Sequence, residues 1–359
     1  MRFLPLFLLV LIGCTEPKKE NPGLIREAKV VEDTVQHFTL THLNKIDSTS
    51  FRGLCVVSEN QVYISGSRNT FLRTRDGGKT WLHDTVYYRP EYKLDYRDLI
   101  VFDSTILMSS AGFPGVIQES NDLGETWKVR AAYLDSNIFF NDLLIWKNGE
   151  GLMLGDPISD KIFLMKFKDS LRSSIMITDS LPDKLGVENG FAASGTCMAQ
   201  DDNGNVWIGL GGEETRVYHS NNYGESWTVQ NTPMMFGNES KGIYSICFSD
   251  KYNGVAVGGN WEEHYSDSVA CYTRNGGKTW NLVTKEAPDG YRSCVSNATL
   301  NNKAVFVTCG TSGVDISYDK GFSWEKVDST NLNAIKFAPN SNIGYATNSY
   351  GDIFKVVLR

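Results

Sequence analysis

The chain has 359 residues with 35 basic and 42 acidic side chains, which gives a formal net charge of −7. No basic stripe stands out, so nucleic acid is not an expected partner. The five histidines share no metal-ligand spacing and no cofactor motif is present, so neither a metal nor a cofactor is expected.

The chain begins with a segment typical of bacterial export signals. A basic residue precedes an apolar run that is too short to cross a bilayer and ends in L-I-G-C (11–14). This ending resembles the lipobox of bacterial lipoproteins, which implies lipidation of Cys14; an ordinary secretory signal is the alternative. We therefore expect a signal peptide over residues 1–13, and a lipidated cysteine with a polar tether over residues 14–30. Because Thr15 rather than Asp follows the cysteine, the family rule favours the outer membrane, with its periplasmic and surface faces both open.

One eight-residue pattern recurs five times in the remaining chain. Its copies are T-R-D-G-G-K-T-W (74–81), S-N-D-L-G-E-T-W (120–127), S-N-N-Y-G-E-S-W (220–227), T-R-N-G-G-K-T-W (273–280) and S-Y-D-K-G-F-S-W (317–324). A hydroxyl residue, then an Asp or Asn, then a Gly is typical of a turn whose side chains bond their own backbone, and the final Trp is typical of a packing anchor. These structural positions are Asp76, Asp122, Asn222, Asn275 and Asp319, with Trp81, Trp127, Trp227, Trp280 and Trp324. The long interval between the second and third copies contains a degenerate sixth, F-K-D-S-L-R-S-S (167–174), which lacks the Gly and the Trp.

A second pattern marks the start of short hydrophobic strands, in step with the first. It reads F-R-G-L (51–54), Y-R-D-L (96–99), F-N-D-L (140–143), F-A-A-S (191–194), I-Y-S-I (243–246), Y-R-S-C (291–294) and L-N-A-I (332–335). Repeats of about 40–50 residues with four short strands each are typical of a β-propeller. The last unit ends before a fourth strand, so we expect V-Q-H-F-T-L-T (35–41) to pair into it and close the ring. The prediction is an all-β fold: a single seven-bladed β-propeller over residues 31–359, closed by an N-terminal strand.

The eight-residue turns resemble the Asp-box, or BNR repeat, of sialidases, sortilin-type receptors, xyloglucan-degrading enzymes and photosystem II assembly factors. In those proteins the box lies away from the functional face, which implies a structural role here. The boxes, the F-R-G and Y-R-S openings and T-S-G-V-D-I-S (311–317) together resemble the photosystem II assembly and stability factor family, in particular its lipoprotein relatives in non-photosynthetic bacteria. The resemblance implies a binding or assembly scaffold with an arginine-rich face. Relatives are often labelled oxidoreductases, but no motif here supports that activity.

The strand openings predict a candidate binding site at one mouth of the propeller channel. Three of them carry an arginine, and a guanidinium fork suits a carboxylate or phosphate. The alternative is that each arginine pairs with a neighbouring aspartate, such as Asp98 or Asp142, and only ties blades together. The ligand-binding candidates are Arg52, Arg97, Arg292, Asp98, Asn141, Asp142, Glu188, Tyr244 and Tyr291.

The favoured function is a lipid-anchored, monomeric scaffold for a protein or glycan partner, without catalytic residues. A sialidase-like or other glycan hydrolase is the enzyme alternative. The sialidase is the main form of it, because sialidases hold a carboxylate with three arginines; Tyr291, Glu188 and Asp98 would take the other roles. Against it, the R-I-P motif is replaced by Phe51-Arg52-Gly53, and sialidases have six blades. Six cysteines besides Cys14 lie mostly in apolar strand contexts, which favours buried thiols over disulfides.

Overall fold

A computed structural model describes residues 38–158, 160–263 and 267–359. The expected signal peptide, Cys14, the tether and residues 35–37 of the predicted closing strand lie outside the described residues. Within the described part, regular structure is almost entirely β-strand, with one 3-10 turn at Thr178–Ser180. No helix there is long and apolar enough to cross a bilayer.

The strands follow one another with short connections. They are β1 (Phe38–Lys45), β2 (Phe51–Val56), β3 (Val62–Gly66), β4 (Thr70–Thr74), β5 (Leu82–Thr85), β6 (Asp95–Phe102), β7 (Thr105–Ala111), β8 (Gly115–Ser120), β9 (Lys128–Tyr133), β10 (Phe140–Ile145), β11 (Gly151–Ile158), β12 (Lys161–Lys168), β13 (Ser173–Met176), β14 (Glu188–Asn189), β15 (Met198–Gln200), β16 (Val206–Gly212), β17 (Arg216–Ser220), β18 (Thr228–Asn231), β19 (Lys241–Phe248), β20 (Gly254–Asn260), β21 (Ala270–Thr273), β22 (Asn281–Leu282), β23 (Cys294–Leu300), β24 (Lys303–Gly310), β25 (Gly313–Ser317), β26 (Glu325–Asp328), β27 (Ala334–Phe337), β28 (Ile343–Thr347) and β29 (Asp352–Leu358).

In the described residues these strands form five four-stranded antiparallel sheets and one nine-stranded sheet. Four of the small sheets are simple meanders: β2–β5, β6–β9, β10–β13 and β23–β26. The fifth has the order β1-β29-β28-β27, so Phe38–Lys45 pairs antiparallel with Asp352–Leu358. The nine-stranded sheet joins β15–β18 to β19–β22 through a single pair, Gly211 with Gly242, and carries β14 beside β16.

The outermost strand of each sheet is the most exposed. In the β2–β5 sheet every residue of β3 and β4 is buried, whereas β5 is mostly exposed. Strands buried on both faces read as continuous apolar runs such as V-Y-I-S-G, because neighbouring sheets cover both sides. The outer strand keeps polar residues, which suits an edge that faces water.

Apolar clusters lie between each sheet and the next one along the chain. One cluster joins Phe71 of β4 to Tyr96 of β6, and another joins Leu154 of β11 to Ile208 of β16. A further cluster joins Phe51 of β2 to Tyr345 of β28, so the first and last sheets also pack together. Each sheet therefore buries its faces only against its neighbours, as expected for a repeat architecture.

The eight-residue turns form the predicted hydrogen-bond pattern. In the first, the amide of Gly78 donates to Thr74 Oγ1 at 3.0 Å, and Thr80 donates to Asp76 through its amide at 2.9 Å and its hydroxyl at 2.6 Å. Hydrogen bonds from Thr80 hold the pKa of Asp76 down at about 2. The same backbone amide bond recurs at Asp122, Asn222, Asn275 and Asp319. At Asn222 and Asn275 the side-chain amide donates to the hydroxyl instead of accepting from it.

The fourth predicted strand opening, F-A-A-S at 191–194, is wrong. These residues form no strand and lie between β14, Glu188–Asn189, and β15, Met198–Gln200. The small residues at positions 190–195 instead pack closely against strands of several sheets, where larger side chains would not fit.

Candidate functional site

Residues 190–197, here called the central segment, contact the innermost strands of the other sheets. Backbone carbonyls of Ala193 and Gly195 accept hydrogen bonds from Arg52 of β2 at 3.0 Å and Lys336 of β27 at 3.1 Å. Its side chains bond Ser293 beside β23 and Ser245 of β19. A Cβ added at Gly190 or Gly195 would meet Asn141 of β10 at 2.8 Å or Asp98 of β6 at 2.1 Å. One short segment that touches β2, β6, β10, β19, β23 and β27 must lie where these strands converge.

The third residue of the strand opening links one sheet to another in several repeats. Asp98 accepts the amide of Leu143 at 2.6 Å, and Asp142 accepts the amide of Met198 at 2.6 Å. Ser245 plays the same part by accepting the amide of Val295 at 2.8 Å. The alternative, in which each arginine pairs with an aspartate, holds for two of the three, but with other partners than Asp98 or Asp142: Arg97 pairs with Asp95 and Arg292 with Asp315.

Arg292 is not available to a ligand. Its side chain is 0% exposed and bonds Asp315, itself 4% exposed, through Nε at 2.8 Å and Nη2 at 2.5 Å. Nη1 donates to the carbonyl of Tyr291 at 3.1 Å and to Ser312 Oγ at 2.5 Å. The prediction of three free arginines at one mouth fails here, because β25 supplies a buried carboxylate that the sequence argument did not consider.

Arg52 and Arg97 remain, and the structure brings them together. Burial lowers the pKa of Arg52, and the positive charge of Arg97 lowers it further. In the described part of the chain, Arg52 has no carboxylate within ion-pair distance; its one hydrogen bond is to the carbonyl of Ala193. Arg97 bonds Asp95 at 2.8 Å and lies over the Phe139 ring at 5.8 Å. The pair thus holds two cations against one carboxylate.

A β-bulge presents four of the opening side chains. The register shifts by one residue at Arg52, Arg97, Asn141 and Tyr244. The extra residue of a bulge leaves the alternation of the strand, which re-aims its side chain. The bulges therefore explain why these side chains do not enter the cores between sheets.

Aromatic rings lie beside the two arginines. Phe191 stacks on Tyr244 with ring centroids 3.8 Å apart, and Tyr244 meets Tyr291 edge to face at 4.8 Å. Burial raises the pKa of both tyrosines far above its usual range, and Arg52 opposes the shift in each. We call Arg52, Arg97, Phe191, Tyr244 and Tyr291 the arginine cluster; it combines cations with stacked rings.

Below it lies a buried charge group that the sequence did not reveal. Burial and the neighbouring Asp142 raise the pKa of Asp98 well above its usual range. Burial raises the pKa of Asp142 to about 6. Burial alone would lower the pKa of Lys336, but Asp98, Cys294 and Asp142 together raise it. Lys336 interrupts the apolar run A-I-K-F of β27, and this interruption is the sequence feature that could have indicated a buried charge here.

Two other candidates have structural partners. Glu188 is 0% exposed and binds Arg216 at 2.5 Å and Tyr218 at 3.0 Å. Asn141 donates to Asp156 at 2.8 Å. The sialidase arrangement is not assembled, because Arg292 and Glu188 are committed to partners and Asp98 is buried among backbone donors.

Sheets whose innermost strands converge on one centre define a β-propeller. Two solved structures of YCF48 share this fold. YCF48 bound to D1 peptide matches with a TM-score of 0.62 and 14% identity, covering 90% of this chain and 95% of that one. YCF48 from Cyanidioschyzon merolae matches with a TM-score of 0.63 and 15% identity, covering 88% and 98%. No protein-family profile and no curated sequence matches the chain.

Proposed function

We propose that this protein is a binding or assembly scaffold that docks a protein partner at the arginine cluster, through an anionic group of that partner. The observation that carries the proposal is the incomplete neutralisation of Arg52 and Arg97. A buried or half-buried cation without a partner is costly, so such a pair persists where a ligand uses it. The likeness to YCF48 bound to a peptide agrees with a protein partner.

Exposed aromatic side chains support the same face. Within each sheet the innermost strand begins at the end that carries the arginine cluster, so the connection between second and third strands and the connection entering each sheet also lie there. Five large exposed aromatics occupy such connections: Tyr87, Phe113, Phe236, Trp261 and Tyr350. Exposed rings around cations suit a protein surface better than a small ion.

We infer seven blades and a closed ring. Dividing the nine-stranded sheet at the Gly211–Gly242 pair yields β15–β18 and β19–β22, each with four strands like the rest. The pairing of β1 with β29 and the cluster between β2 and β28 support closure by the N-terminal strand. We also infer a monomer, because a closed ring leaves only the short outer strands as edges for pairing with another chain.

We also propose that a lipid on Cys14 holds the propeller at a membrane of a bacterial envelope, the outer membrane being favoured. The support is the L-I-G-C sequence and the polar tether that follows it. A membrane-bound partner could then reach the arginine cluster by lateral diffusion in the membrane.

The test is capture from the native envelope with a charge-reversed variant. Wild type, Arg52→Glu/Arg97→Glu and a control, Arg75→Glu, are purified with their bound proteins after mild solubilisation. Arg75 is an exposed residue of the first eight-residue turn, so its reversal changes net charge without touching the cluster. We expect a co-purifying protein that is lost only from the double variant and released by salt. Equal capture by all three proteins would reject the arginine cluster as the docking site.

A further inference from the structure

The degenerate turn at 167–174 changes the junction between two sheets. Each intact turn places its Trp against the preceding sheet. Trp127 meets Phe71 of β4 edge to face at 4.8 Å, Trp227 packs in the cluster of Leu152 and Leu164, and Trp324 packs with Val255 of β20. The degenerate turn has Ser174 where the Trp should stand, so the junction between the β6–β9 and β10–β13 sheets lacks this ring.

Leu171 replaces only the inner part of the missing Trp. It occupies the Gly position of the pattern, keeps the positive φ of 68° that the turn requires, and is buried with Phe167 against Ile100. The turn itself persists, because the Ser173 hydroxyl still donates to Asp169 at 2.5 Å. Ser174 is exposed, and in the described part of the chain the Arg130 guanidinium, rather than a ring, lies over Phe167 at this junction.

A cavity lies there. It has a volume of about 550 Å³ and is lined by Phe102 and Leu171 on its apolar side. A second cavity of about 440 Å³ adjoins it, shares Glu119, Lys128, Arg130 and Arg172, and reaches Phe167 and Ser174. Together they form a groove between β9 and β13, here called the junction groove, in which polar side chains surround the buried Phe167 and Leu171.

The rim of the junction groove carries more cations than it neutralises. Glu119 holds Lys128 at 2.9 Å and Arg130 at 2.9 Å. Arg130 lies over the Phe167 ring at 5.3 Å, so the groove already supports a cation–π contact. Arg172 has no ion pair among the described residues. The rim therefore has three cationic side chains and two carboxylates: Lys128, Arg130 and Arg172 with Glu119 and the exposed Asp103.

We propose that the junction groove is a second docking site, which takes an aromatic side chain flanked by acidic residues from a protein partner. The ring would occupy the place that Trp fills at the other junctions, and a flanking carboxylate would meet Arg172. The site is separate from the arginine cluster, because it lies among the outer strands, so either site can fail without the other.

The test uses a defined peptide and a variant that repairs the turn. Acetyl-Glu-(5-fluoro-Trp)-Glu-amide is titrated into the full-length protein in detergent, with fluorine NMR as the readout and detergent alone as the blank. Two comparison peptides exchange the Trp for a fluorinated Ala analogue or both Glu for Lys. We expect saturable millimolar binding of the acidic Trp peptide only, as befits a few contacts.

Leu171→Gly/Ser174→Trp restores the pattern of the intact turns and should weaken binding at least tenfold while the protein stays folded by circular dichroism. Ser174→Ala is the matched control and should bind normally, as should Arg52→Glu/Arg97→Glu. Arg172→Glu should reverse the preference toward the Lys-flanked peptide, and this arm decides if the repaired variant does not fold. Absence of saturable binding by wild type, or equal binding by the repaired variant and Ser174→Ala, would overturn the proposal.

Discussion

Arg52 and Arg292 occupy the same position in their repeats but differ in environment, and this difference sets their energetic roles. Arg292→Ala leaves Asp315 buried without its partner, which should cost about 3–5 kcal/mol of unfolding free energy. Arg52→Ala removes one hydrogen bond to a carbonyl and relieves repulsion from Arg97, so it should cost about 1 kcal/mol or less. Urea unfolding of the two variants measures the contrast. Losses of equal size would show that the arginine cluster is a structural feature.

The Asp98–Asp142–Lys336 group predicts a pH effect on stability. Folding raises the pKa of Asp142 from 3.8 to about 6, so the folded state binds this proton more tightly than the unfolded state. The contribution of Asp142 to stability should therefore fall as pH rises from about 4 to 6 and level off above that range. Asp142→Asn keeps an oxygen to accept the Met198 amide and removes the titration. Thermal melts between pH 4 and 8 should show a smaller decline in the variant; superimposable profiles would refute the assignment.

The partners of the arginines could not be predicted from the sequence, because strands distant along the chain supply them. The turns could be predicted, since their bonds lie within eight residues. The start of the innermost strand could also be predicted for the other repeats. F-A-A-S is the exception, because these residues belong to the central segment and form no strand. The partner of Arg292 lies 23 residues away in β25, and only the isolated Asp315 in V-D-I-S hinted at it.

Among the elements, β1 carries the test of ring closure. It pairs with β29 over Phe38–Lys45, and its Leu43 packs in the cluster of Phe51 and Tyr345. Deletion of residues 38–45 would expose an edge strand and open that cluster. We expect loss of folding or a fall in Tm of more than about 10 °C, the scale set by several kcal/mol. Calorimetry of the truncated protein measures it, and an unchanged Tm would contradict closure by this strand.

The central segment offers a second test at this scale. Gly195 has a φ of 58°, and an added Cβ would meet Asp98 Oδ1 at 2.1 Å. Gly195→Val should thus destabilise the protein by more than about 2 kcal/mol through overpacking and strain. Gly112, whose added Cβ meets nothing within 4 Å and whose φ is also positive at 81°, supplies a control for backbone strain alone. Equal losses of unfolding free energy for Gly195→Val and Gly112→Val would show that the central segment is not packed against Asp98.

At the scale of the whole molecule, Cys14 is the expected membrane attachment, although it lies outside the described residues. Cys14→Ser should leave the propeller folded and move the protein from the membrane pellet to the soluble fraction. Fractionation followed by immunoblotting gives the readout. A variant that still pellets after salt washing would exclude lipidation as the attachment.

The central claim is that a partner docks on the arginine cluster, and site-specific photocrosslinking tests it most directly. A benzoylphenylalanine placed at Phe139, whose ring lies 5.8 Å from the Arg97 guanidinium, is compared with one at Tyr252, an exposed aromatic at the opposite end of the sheets. Irradiation in the native envelope should yield a defined protein adduct from position 139, lost in Arg52→Glu/Arg97→Glu, and none from position 252. Adducts from position 252 alone, or adducts from 139 that survive charge reversal, would contradict the account.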